Sequence, residues 1–576
     1  MDFFKDIGMD KNDLFFILFL LIFSTILTVK MVGFNNQIGI YCSDVFVYLL
    51  NALNFVGMNL NVNNTMYLSP VICFLTSILF RLGFIDVNAI YLVTGVFAIF
   101  GIVGFYFLLR YRFNRVLSLT GAVLLFSLSL NVLWLANGTL DVPAVGLTVW
   151  TVLFFVLAVD KDSKYYLWAL PFFVLSFFTR YTTVLILPAL LVYFLCKHDI
   201  FGGLDNFISD REALKLQLTD FIHTKEFRNI LKGVFLSLIL VGVFAVVIYY
   251  YTHSFAFSSL FNNLSSGSKS NVGDSAYTTD TFFYLTNFLS FLFAKRVVFF
   301  KFNIPTLYLP SLTSYMVMFL TIGGLFVGLI NKFKNKEQIT CEVGDFKTGK
   351  FTLVLKLSVI VLFLVGVLSL GRISSFVVML IFALDLVILN ELLKKYDEVK
   401  GLSFHLMMLM WFLTYLVSFS LIYIKVNRYI LTLMPAFVYF FILGLHYITG
   451  KWNYNFKNKI NSSQILAILL IIVFVFSAFN FTSTVDVSSD IKSPELISDY
   501  LTHYDPNYQT RQIGVYNKRP FTWFLGMKLF GITKDNRAYL TNSNITYYIA
   551  NEQVDNLTNY HLLKTQGKLH LYERNK

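Results

Sequence analysis

Charged residues are scarce in this sequence. Only 14% of its 576 residues are charged and 57% are hydrophobic, whereas roughly a quarter of the residues are charged in ordinary soluble domains. A water-soluble protein could not cover so much apolar surface with its polar side chains. The composition therefore excludes a soluble globular protein.

Sequence motifs of the common hydrolases are also missing. The sequence contains no GxxxxGK[ST] loop, no HExxH and no GxSxG, so nucleotide hydrolysis, zinc proteolysis and serine hydrolysis have no support. The four cysteines, Cys42, Cys73, Cys196 and Cys341, form no close pairs, which indicates neither a disulfide framework nor a cysteine metal motif. The histidines are scattered, and His253 fits an ordinary interfacial residue better than an acid or base.

Long apolar runs are what the sequence has instead. Runs of about 16 to 25 residues recur from Leu14 to Phe481, and each could span a ~30 Å hydrocarbon core as a helix. The first run has no cleavage pattern after it and is interpreted as an uncleaved anchor. The predicted spans are thirteen: 14–32, 87–109, 116–136, 142–159, 165–179, 182–196, 233–251, 307–330, 352–371, 374–393, 403–423, 429–448 and 463–481.

Basic residues set the predicted orientation. The net charge is +13, but lysine and arginine lie mostly in short linkers between apolar runs, which is typical of a topology signal and not of nucleic-acid binding. The borderline run 67–82 decides the orientation. If it lies in the interface without spanning, more than half of the basic residues fall on the side of the N-terminus. We therefore predict a cytoplasmic N-terminus and an extracytoplasmic C-terminus.

Two parts of the chain differ in composition. Residues 1–481 are predicted to form an all-α polytopic membrane domain with outer loops at 33–86 and 252–305, the second being a flexible connector or a lid. In residues 482–576, QIGVY and KLHLYER alternate like strands and SPELISDYLTHY begins like a capped helix. This tail is predicted to be a small extracytoplasmic α+β domain.

Two aspartates fall at the predicted outer face. Asp44 lies in SDVFVYLL after the first span, and Asp141 lies in NGTLDVPAVG between the third and fourth spans. Ionisable groups at a membrane edge are candidates for function. The alternative for each is an N-cap of a helix. Asp385, inside the tenth span, could be buried structure, a partner for a cation, or a sign of a misplaced boundary.

Several basic residues break the positive-inside pattern on that same face. They are Arg81, Arg180, Lys295, Arg296, Lys301, Arg372, Lys425 and Arg428. Snorkelling at helix ends explains Lys295 and Lys301 well. It explains Arg180 and Arg428 less well, because each adjoins a tyrosine between spans joined by almost no loop. Arginines beside carboxylates suit a reaction on a phosphate-bearing lipid, in which arginine binds phosphate and a carboxylate accepts a proton.

In these motifs the chain resembles the GT-C superfamily of membrane glycosyltransferases, and most of all family 39, which includes protein O-mannosyltransferases and the lipid A aminoarabinose transferase. The resemblance covers the whole chain in architecture, whereas its sequence motifs are short. They are SDVFVYL with Asp44, the Pro-containing interfacial segment MYLSPVICFLTSILFRLGF, Asp141, LSFFTRYTT with Arg180, and NRYILTLMP with Arg428, Tyr429 and Pro435.

The resemblance implies an inverting transfer of a sugar from a polyprenyl (dolichyl-type) phosphate to an acceptor hydroxyl. Asp44 and Asp141 would be catalytic. Donor phosphate would bind to Arg180, Arg428, Lys425, Arg372 and Arg81, and substrate to Tyr48, Tyr67, Tyr181 and Tyr429. Many relatives carry Asp-Glu in the first loop, but here Val45 follows Asp44, which weakens the case for metal-assisted catalysis without excluding a divalent metal. No cofactor is expected to be required.

Other readings stay open at this point. A lipid-linked glycan flippase or transporter would need ionisable groups at mid-membrane, and a glycan polymerase or ligase would use an oligosaccharide lipid donor. The acceptor could be a protein, a lipid or a glycan. Richness in Asn, Lys, Ile, Phe and Tyr is typical of an AT-rich archaeal or bacterial genome, which would place the chain in a plasma membrane. Outer sequons occur at Asn63, Asn137, Asn263, Asn480, Asn544 and Asn556.

Overall fold

The structure is a computed structural model of the 576-residue chain. It describes residues 3–58, 60, 69–198, 222–252, 280–299, 305–339, 350–394, 401–422, 425–451, 455–456, 460–532, 537–554, 557 and 559–575. Tyr67, His253, Lys301 and Cys341 lie outside these ranges, as do three of the sequons, Asn63, Asn263 and Asn556.

Helices make up most of the described chain. In chain order they are α1 Phe3–Ile7, α2 Asp13–Ile38, α3 Ser43–Asn54, α4 Val71–Arg81, α5 Val87–Arg110, α6 Arg115–Ser127, α7 Ser129–Leu133, α8 Asp141–Asp160, α9 Tyr166–Thr179, α10 Leu187–Lys197, α11 Lys225–Thr252, α12 Phe283–Thr286, α13 Phe288–Leu292, α14 Leu312–Ile339, α15 Lys350–Ser369, α16 Ser375–Lys394, α17 Leu402–Leu421, α18 Met434–Lys451, α19 Ser462–Phe479, α20 Ser493–Tyr504, α21 Lys518–Leu525 and α22 Ala538–Asn542.

Strands are short and fall mainly near the C-terminus. They are β1 Ala294–Phe299, β2 Pro305–Pro310, β3 Asn455–Phe456, β4 Ile460–Asn461, β5 Val485–Asp486, β6 Ile513–Val515, β7 Phe530–Gly531, β8 Tyr547–Ala550, β9 Tyr560–Gln566 and β10 Leu569–Arg574. The predicted fold class, a helical membrane protein with a small C-terminal part that contains a sheet, is confirmed.

Within the described ranges, eight helical segments are long and apolar enough to cross a membrane by length and composition. They are α2, α5, α8, α11, α14, α16, α17 and α18 with the 3₁₀ turn before it. The chain is therefore an integral membrane protein. The other five predicted spans overlap α6, α9, α10, α15 and α19, which are short or described only in part, so the total of thirteen stays a prediction.

The structure corrects two of the predicted spans. The third, 116–136, is not one helix: α6 ends at Ser127, Leu128 is extended, and only the short helix α7 follows. The break is possible in a buried segment because the Asn131 side chain donates a hydrogen bond to the Phe126 carbonyl (3.2 Å). The eighth predicted span begins too early, because residues up to Pro310 form strand β2 and pair with β1.

Helix α4 supports the interpretation of residues 67–82 as a segment that does not span. It has 11 residues, which makes it about 16 Å long at 1.5 Å per residue and so too short for a ~30 Å core. It packs against α3 and α5. The chain after the first span, α2, thus continues as a pair of short helices, α3 and α4.

Close approach of α5 and α8 fixes the start of α8, where Asp141 lies. A Cβ added at Gly101 would lie only 2.5 Å from the Cα of Gly146, so neither position could carry a larger side chain without separating the helices. Helix α8 is almost entirely buried, and its Trp150 indole donates a hydrogen bond to the Phe100 carbonyl of α5 (2.9 Å). Tight small-residue packing of this kind is typical of membrane helices.

The C-terminal part is built on a five-stranded sheet in the order β7-β6-β8-β10-β9. Strand β6 runs parallel to β7 and β8, and β10 runs antiparallel to β8 and β9. The strands predicted from QIGVY and KLHLYER are β6 and β10, and the predicted helix is α20. Helices α20 and α21 bury Ile497, Leu501 and Phe521 against the sheet. The boundary at residue 482 and the side of the membrane stay predictions.

A second sheet, in the order β2-β1-β5, joins the long loop to the start of the C-terminal part. Strand β1 pairs in parallel with β5, and Arg296 forms an ion pair with Asp486 across them. The described part of the loop predicted at 252–305 is thus ordered structure: α12, α13 and β1. Residues 253–279 lie outside the described ranges.

Candidate functional site

Asp44 lies in the first turn of α3, directly after the chain leaves α2. The N-cap of α3 is Cys42, and no side chain caps this helix. Instead, the Asp44 carboxylate accepts a hydrogen bond from the guanidinium of Arg428 (Oδ2 to Nη2, 2.5 Å). The capping interpretation of Asp44 is therefore wrong, and the carboxylate is joined to a residue 384 positions away in sequence.

Asp141 is the first residue of α8 and is buried, with 1% of its side chain exposed. The N-cap is Leu140, again without a side-chain hydrogen bond, so capping is not the role of Asp141 either. Its Oδ1 accepts a hydrogen bond from Arg180, and its Oδ2 lies 3.8 Å from Nε of Arg428. The four predicted residues Asp44, Asp141, Arg180 and Arg428 thus form one cluster, here called the four-charge cluster.

Interruptions in the helices bring both arginines inward. Arg180 is extended and separates α9 from a 3₁₀ segment, Tyr181–Ile186, before α10. Arg428 lies in a second 3₁₀ segment, Asn427–Leu433, which precedes α18. A proline follows each segment at the start of the next α-helix, Pro188 and Pro435, where its fixed φ favours the first helical turn. Because each 3₁₀ segment joins its two helices without an exposed loop, the guanidiniums of Arg180 and Arg428 stay inside the helix bundle.

Aromatic rings line the cluster. The Arg180 guanidinium lies 4.9 Å from the ring centroid of Tyr429, and that of Arg428 lies 5.9 Å from the same ring. Arg428 also lies 5.6 Å from the ring of Trp134. Ring faces attract cations without neutralising them. The arginines are therefore held in place while their positive charge stays available to an anion.

Exposure differs sharply within the four-charge cluster. The side chain of Asp44 is 32% exposed, whereas those of Arg180, Arg428 and Asp141 are 14%, 11% and 1% exposed. Burial raises the pKa of the Asp44 carboxyl, but the charge and hydrogen bond of Arg428 outweigh burial and hold that pKa below its usual value. Asp44 is thus an ionised carboxylate that solvent or substrate can reach.

Hydrogen bonding in the cluster is incomplete. Within the described ranges, Asp141 Oδ2 and Arg428 Nε are buried without a hydrogen-bond partner. A buried group left without a partner is costly, so such groups often mark a functional site. The arrangement leaves hydrogen-bonding capacity for a ligand at the centre of the cluster.

Three other predicted phosphate-binding residues lie outside the four-charge cluster. Arg81 donates to the Phe55 carbonyl (2.8 Å) and to the Tyr251 hydroxyl (2.5 Å), which ties α4 to α3 and α11. Lys425 donates to the Ile422 carbonyl (2.9 Å). Arg372 is exposed in the turn between α15 and α16. Lys295, expected to snorkel from a helix end, lies on strand β1.

The predicted substrate tyrosines take different positions. The ring of Tyr429 lies near both arginines, and Tyr48 lies buried one turn after Asp44 on α3. Tyr181 follows Arg180 and packs against Phe177, with ring centroids 5.2 Å apart. Tyr67 lies outside the described residues.

Two residues beside the cluster were missed by the sequence analysis as site residues. The Cys42 thiol accepts a hydrogen bond from Nη1 of Arg428 (3.1 Å), and burial raises the pKa of that thiol to about 11, so it stays protonated. Trp134 gives no signal in sequence, since it lies within a long apolar run. Cys42 does precede Asp44 by two residues, but proximity to Arg428 depends on the fold.

The sequon at Asn137 is not available for glycosylation in this structure. Its side chain is buried, donates to the Tyr41 hydroxyl (2.7 Å) and accepts from Thr139 (3.0 Å from the backbone nitrogen and 2.7 Å from the hydroxyl). It supports the turn before Asp141. Asp385 is buried within α16, and its Oδ1 has no hydrogen-bond partner among the described residues.

Metal-ligating side chains do not cluster in the described ranges: no group of three or more His, Cys, Asp or Glu residues could hold a metal ion there. The acidic residues of the site are instead paired with arginine.

Comparison with known proteins identifies the fold of the chain. The sequence profile of the dolichyl-phosphate-mannose-protein mannosyltransferase family matches residues 68–202, which include Asp141 and Arg180. The structure of ArnT from Cupriavidus metallidurans bound to undecaprenyl phosphate is similar with a TM-score of 0.54 and 10% identity, over 96% of this chain and 97% of that one. The chain has the GT-C fold.

A more distant similarity is to an oligosaccharyltransferase of Archaeoglobus fulgidus tethered to an acceptor peptide, with a TM-score of 0.48 and 11% identity, over 93% of this chain and 69% of that one. No curated protein matches the sequence. The resemblance to the GT-C superfamily predicted from the motifs is confirmed, and the GT-C fold extends over nearly the whole chain.

Proposed function

We propose that the chain transfers a sugar from a polyprenyl phosphate to an acceptor hydroxyl, with inversion at the anomeric carbon. The observation that carries the proposal is the four-charge cluster, in which two arginines and two carboxylates meet in a GT-C fold. Similarity to a protein bound to undecaprenyl phosphate and to the mannosyltransferase family profile supports a lipid phosphate donor.

Arg428 and Arg180 are the proposed phosphate ligands. Guanidinium groups bind phosphate with paired hydrogen bonds and stabilise the charge that the phosphate gains as the sugar leaves. Their burial, at 11% and 14% exposure, strengthens that interaction because little water competes. A donor phosphate at Arg428 would compete with Asp44 for the same guanidinium and free a carboxylate oxygen.

Asp44 is the proposed base. The acceptor oxygen attacks the anomeric carbon from the face opposite the phosphate, its proton passes to the Asp44 carboxylate, and the bond between carbon and phosphate oxygen breaks with its electrons on the phosphate. Asp44 is the exposed carboxylate of the pair. Asp141, buried and held by Arg180 and close to Arg428, is assigned the positioning of the two arginines.

Product analysis in cells tests this proposal. Surface glycans and lipids would be compared by mass spectrometry between cells that produce the wild-type chain and cells that produce Asp44→Asn. We expect one sugar to disappear from one class of acceptor in the variant. An unchanged glycan profile, with the variant present in the membrane at the wild-type level, would reject Asp44 as the base.

Donor class is tested separately with purified chain in lipid nanodiscs. Polyprenyl-phosphate monosaccharides are offered in one series and pyrophosphate-linked oligosaccharides in another, and the released lipid is identified by mass. Release of polyprenyl phosphate from the monosaccharide series alone is expected. Release of the pyrophosphate lipid would instead indicate a glycan polymerase or ligase.

A further inference from the structure

Helix α21 of the C-terminal part packs onto the two short helices beside the four-charge cluster. The ring of Phe524 lies edge-on to Phe46 of α3, with centroids 5.7 Å apart. The ring of Trp523 stacks on Phe80 of α4, with centroids 6.0 Å apart and planes 25° apart. Phe46 follows Asp44 by two residues, so α21 lies next to the turn that carries the proposed base.

Arg519 lies on α21 one turn before Trp523, and residues four apart share one face of a helix. That face is the one turned toward α4 and α3. The helix start is fixed, because the Asn517 side chain accepts a hydrogen bond from the backbone nitrogen of Arg519 (3.3 Å). The position of Arg519 therefore follows from packing of α21 and does not depend on a flexible loop.

Arg519 is half-buried, and within the described ranges its guanidinium lies at ion-pair distance from no carboxylate. Its charge nevertheless acts on the site. The pKa of Asp44, raised by burial and lowered more strongly by Arg428, is lowered further by the charge of Arg519. Arg519 therefore lies on a helix that packs against α3, close enough for its charge to act on the Asp44 carboxylate.

The formal charges of the site and of a bound phosphate indicate a role for Arg519. The four-charge cluster contains two carboxylates and two guanidiniums, so its formal charges cancel. A lipid-linked phosphate would add negative charge beside Asp44. Like charges brought together at a partly buried site repel each other, and a further cation is needed to offset them. Arg519 is a cation at this position without a carboxylate of its own.

We propose that Arg519 binds the phosphate of the lipid-linked donor from the water side, while Arg428 binds it from the membrane side. This inference rests on the proposed function. The site is then completed by the C-terminal part of the chain, which contributes a phosphate ligand as well as covering α3 and α4. The positive charge of Arg519 would also favour the ionised form of Asp44 when the phosphate occupies Arg428.

Ligand-induced stabilisation of the full-length chain in detergent tests the assignment. Undecaprenyl phosphate and inorganic phosphate are titrated separately against wild type, Arg519→Gln, Arg519→Lys and Arg428→Gln, and melting temperature gives an apparent Kd. Lys518→Gln is the matched control, since Lys518 is exposed, adjacent and of the same charge. Melting without ligand shows whether each variant is folded.

We expect Arg519→Gln to weaken undecaprenyl phosphate binding about tenfold or more, as for loss of one charge-assisted hydrogen bond. Lys518→Gln should change it less than twofold, and Arg519→Lys should restore part of the loss.

Equal effects of Arg519→Gln and Lys518→Gln would overturn the inference, as would weakened binding of inorganic phosphate alone. If Arg428→Gln abolishes lipid binding while Arg519→Gln does not, the proposed function stands and Arg519 is excluded. If wild type does not bind the lipid, both fail.

Discussion

Among the described residues, buried ion pairs lie at both ends of the helix bundle, and the pairs at the two ends differ in how fully their carboxylates are hydrogen-bonded. The pairs opposite the four-charge cluster, here called the N-side pairs, are Asp13 with Arg110 and Asp160 with Lys197. Asp13 begins α2 and Asp160 ends α8, whereas Asp44 follows α2 and Asp141 begins α8. Helix α8 thus carries a carboxylate at each end, whereas Asp13 begins α2 and Asp44 lies on α3, the helix that follows α2.

Hydrogen bonding separates the two ends. Asp13 accepts from Tyr106 (2.6 Å), from Arg110 (2.9 and 3.4 Å) and from the backbone of Asp10 (2.8 Å). Asp160 is likewise held by two tyrosine hydroxyls and Lys197. In the four-charge cluster, by contrast, Asp141 Oδ2 and Arg428 Nε have no hydrogen-bond partner among the described residues, and Asp44 is partly exposed. Saturated pairs stabilise the fold, while unsaturated pairs leave room for a ligand.

The largest expected effect is that of Asp44→Asn. Asparagine keeps the shape and can still accept the hydrogen bond from Arg428, but it cannot take a proton, so sugar transfer should fall by about 10³-fold. Transfer is measured as polyprenyl phosphate released by purified protein. Asp10→Asn, which alters an exposed pair with Arg115, is the control and should keep full activity. Loss of activity in both Asp44→Asn and Asp10→Asn would contradict the functional difference between the two ends of the helix bundle.

Arg428→Gln should lower transfer by about 10²- to 10³-fold, because the leaving phosphate loses its most central cation. The variant should also bind undecaprenyl phosphate weakly at any pH. A variant that binds the lipid normally but transfers slowly would show that Arg428 acts only in the transition state. Normal rates in this variant would refute the phosphate role.

Arg110→Gln probes the N-side pairs. Removing Arg110 leaves the fully buried Asp13 carboxylate without its positively charged partner, so we expect a loss of about 3 kcal/mol in the free energy of unfolding. Transfer per folded molecule should stay within about twofold of wild type. Melting can be followed with a thiol-reactive dye, because Cys73 and Cys196 are buried in the native state. A specific loss of activity without destabilisation would contradict the structural role.

The smallest effect is expected for Asp505→Asn in the C-terminal part. Asp505 accepts hydrogen bonds from Tyr547 (3.0 Å), Arg511 (3.2 Å) and the backbone of Asn507 (2.9 Å). Burial raises the pKa of Asp505, but these bonds outweigh it and lower that pKa. The variant should lose on the order of 1 kcal/mol at neutral pH.

The pH dependence of that loss follows from the lowered pKa. A carboxyl whose pKa is lower in the folded than in the unfolded state stabilises the fold above the unfolded pKa of about 4, and the stabilisation disappears as pH falls through the folded value. The melting difference between wild type and Asp505→Asn should therefore be full at pH 7 and shrink below about pH 4. A difference that is constant with pH would contradict the ionised role of Asp505.

Motif order allowed part of the site to be predicted from sequence. Asp44, Asp141, Arg180 and Arg428 were selected because charged residues at the ends of apolar runs need a reason to be there, and the structure brings all four together. Arg81 met the same criterion but is engaged by Phe55 and Tyr251. Position along the chain cannot separate these cases, because both depend on which helix packs beside the residue.

Sequence by itself determined the class of protein, the apolar helices and the short helix α4, since these depend on hydrophobic length, which is local to each segment. Only the tertiary structure decided that α6 breaks at Leu128, that Cys42 and Trp134 contact Arg428, and that α21 packs over α3. The physical reason is that buried charges and irregular backbone are stable only when distant residues supply their partners. Those partners are defined by packing in three dimensions.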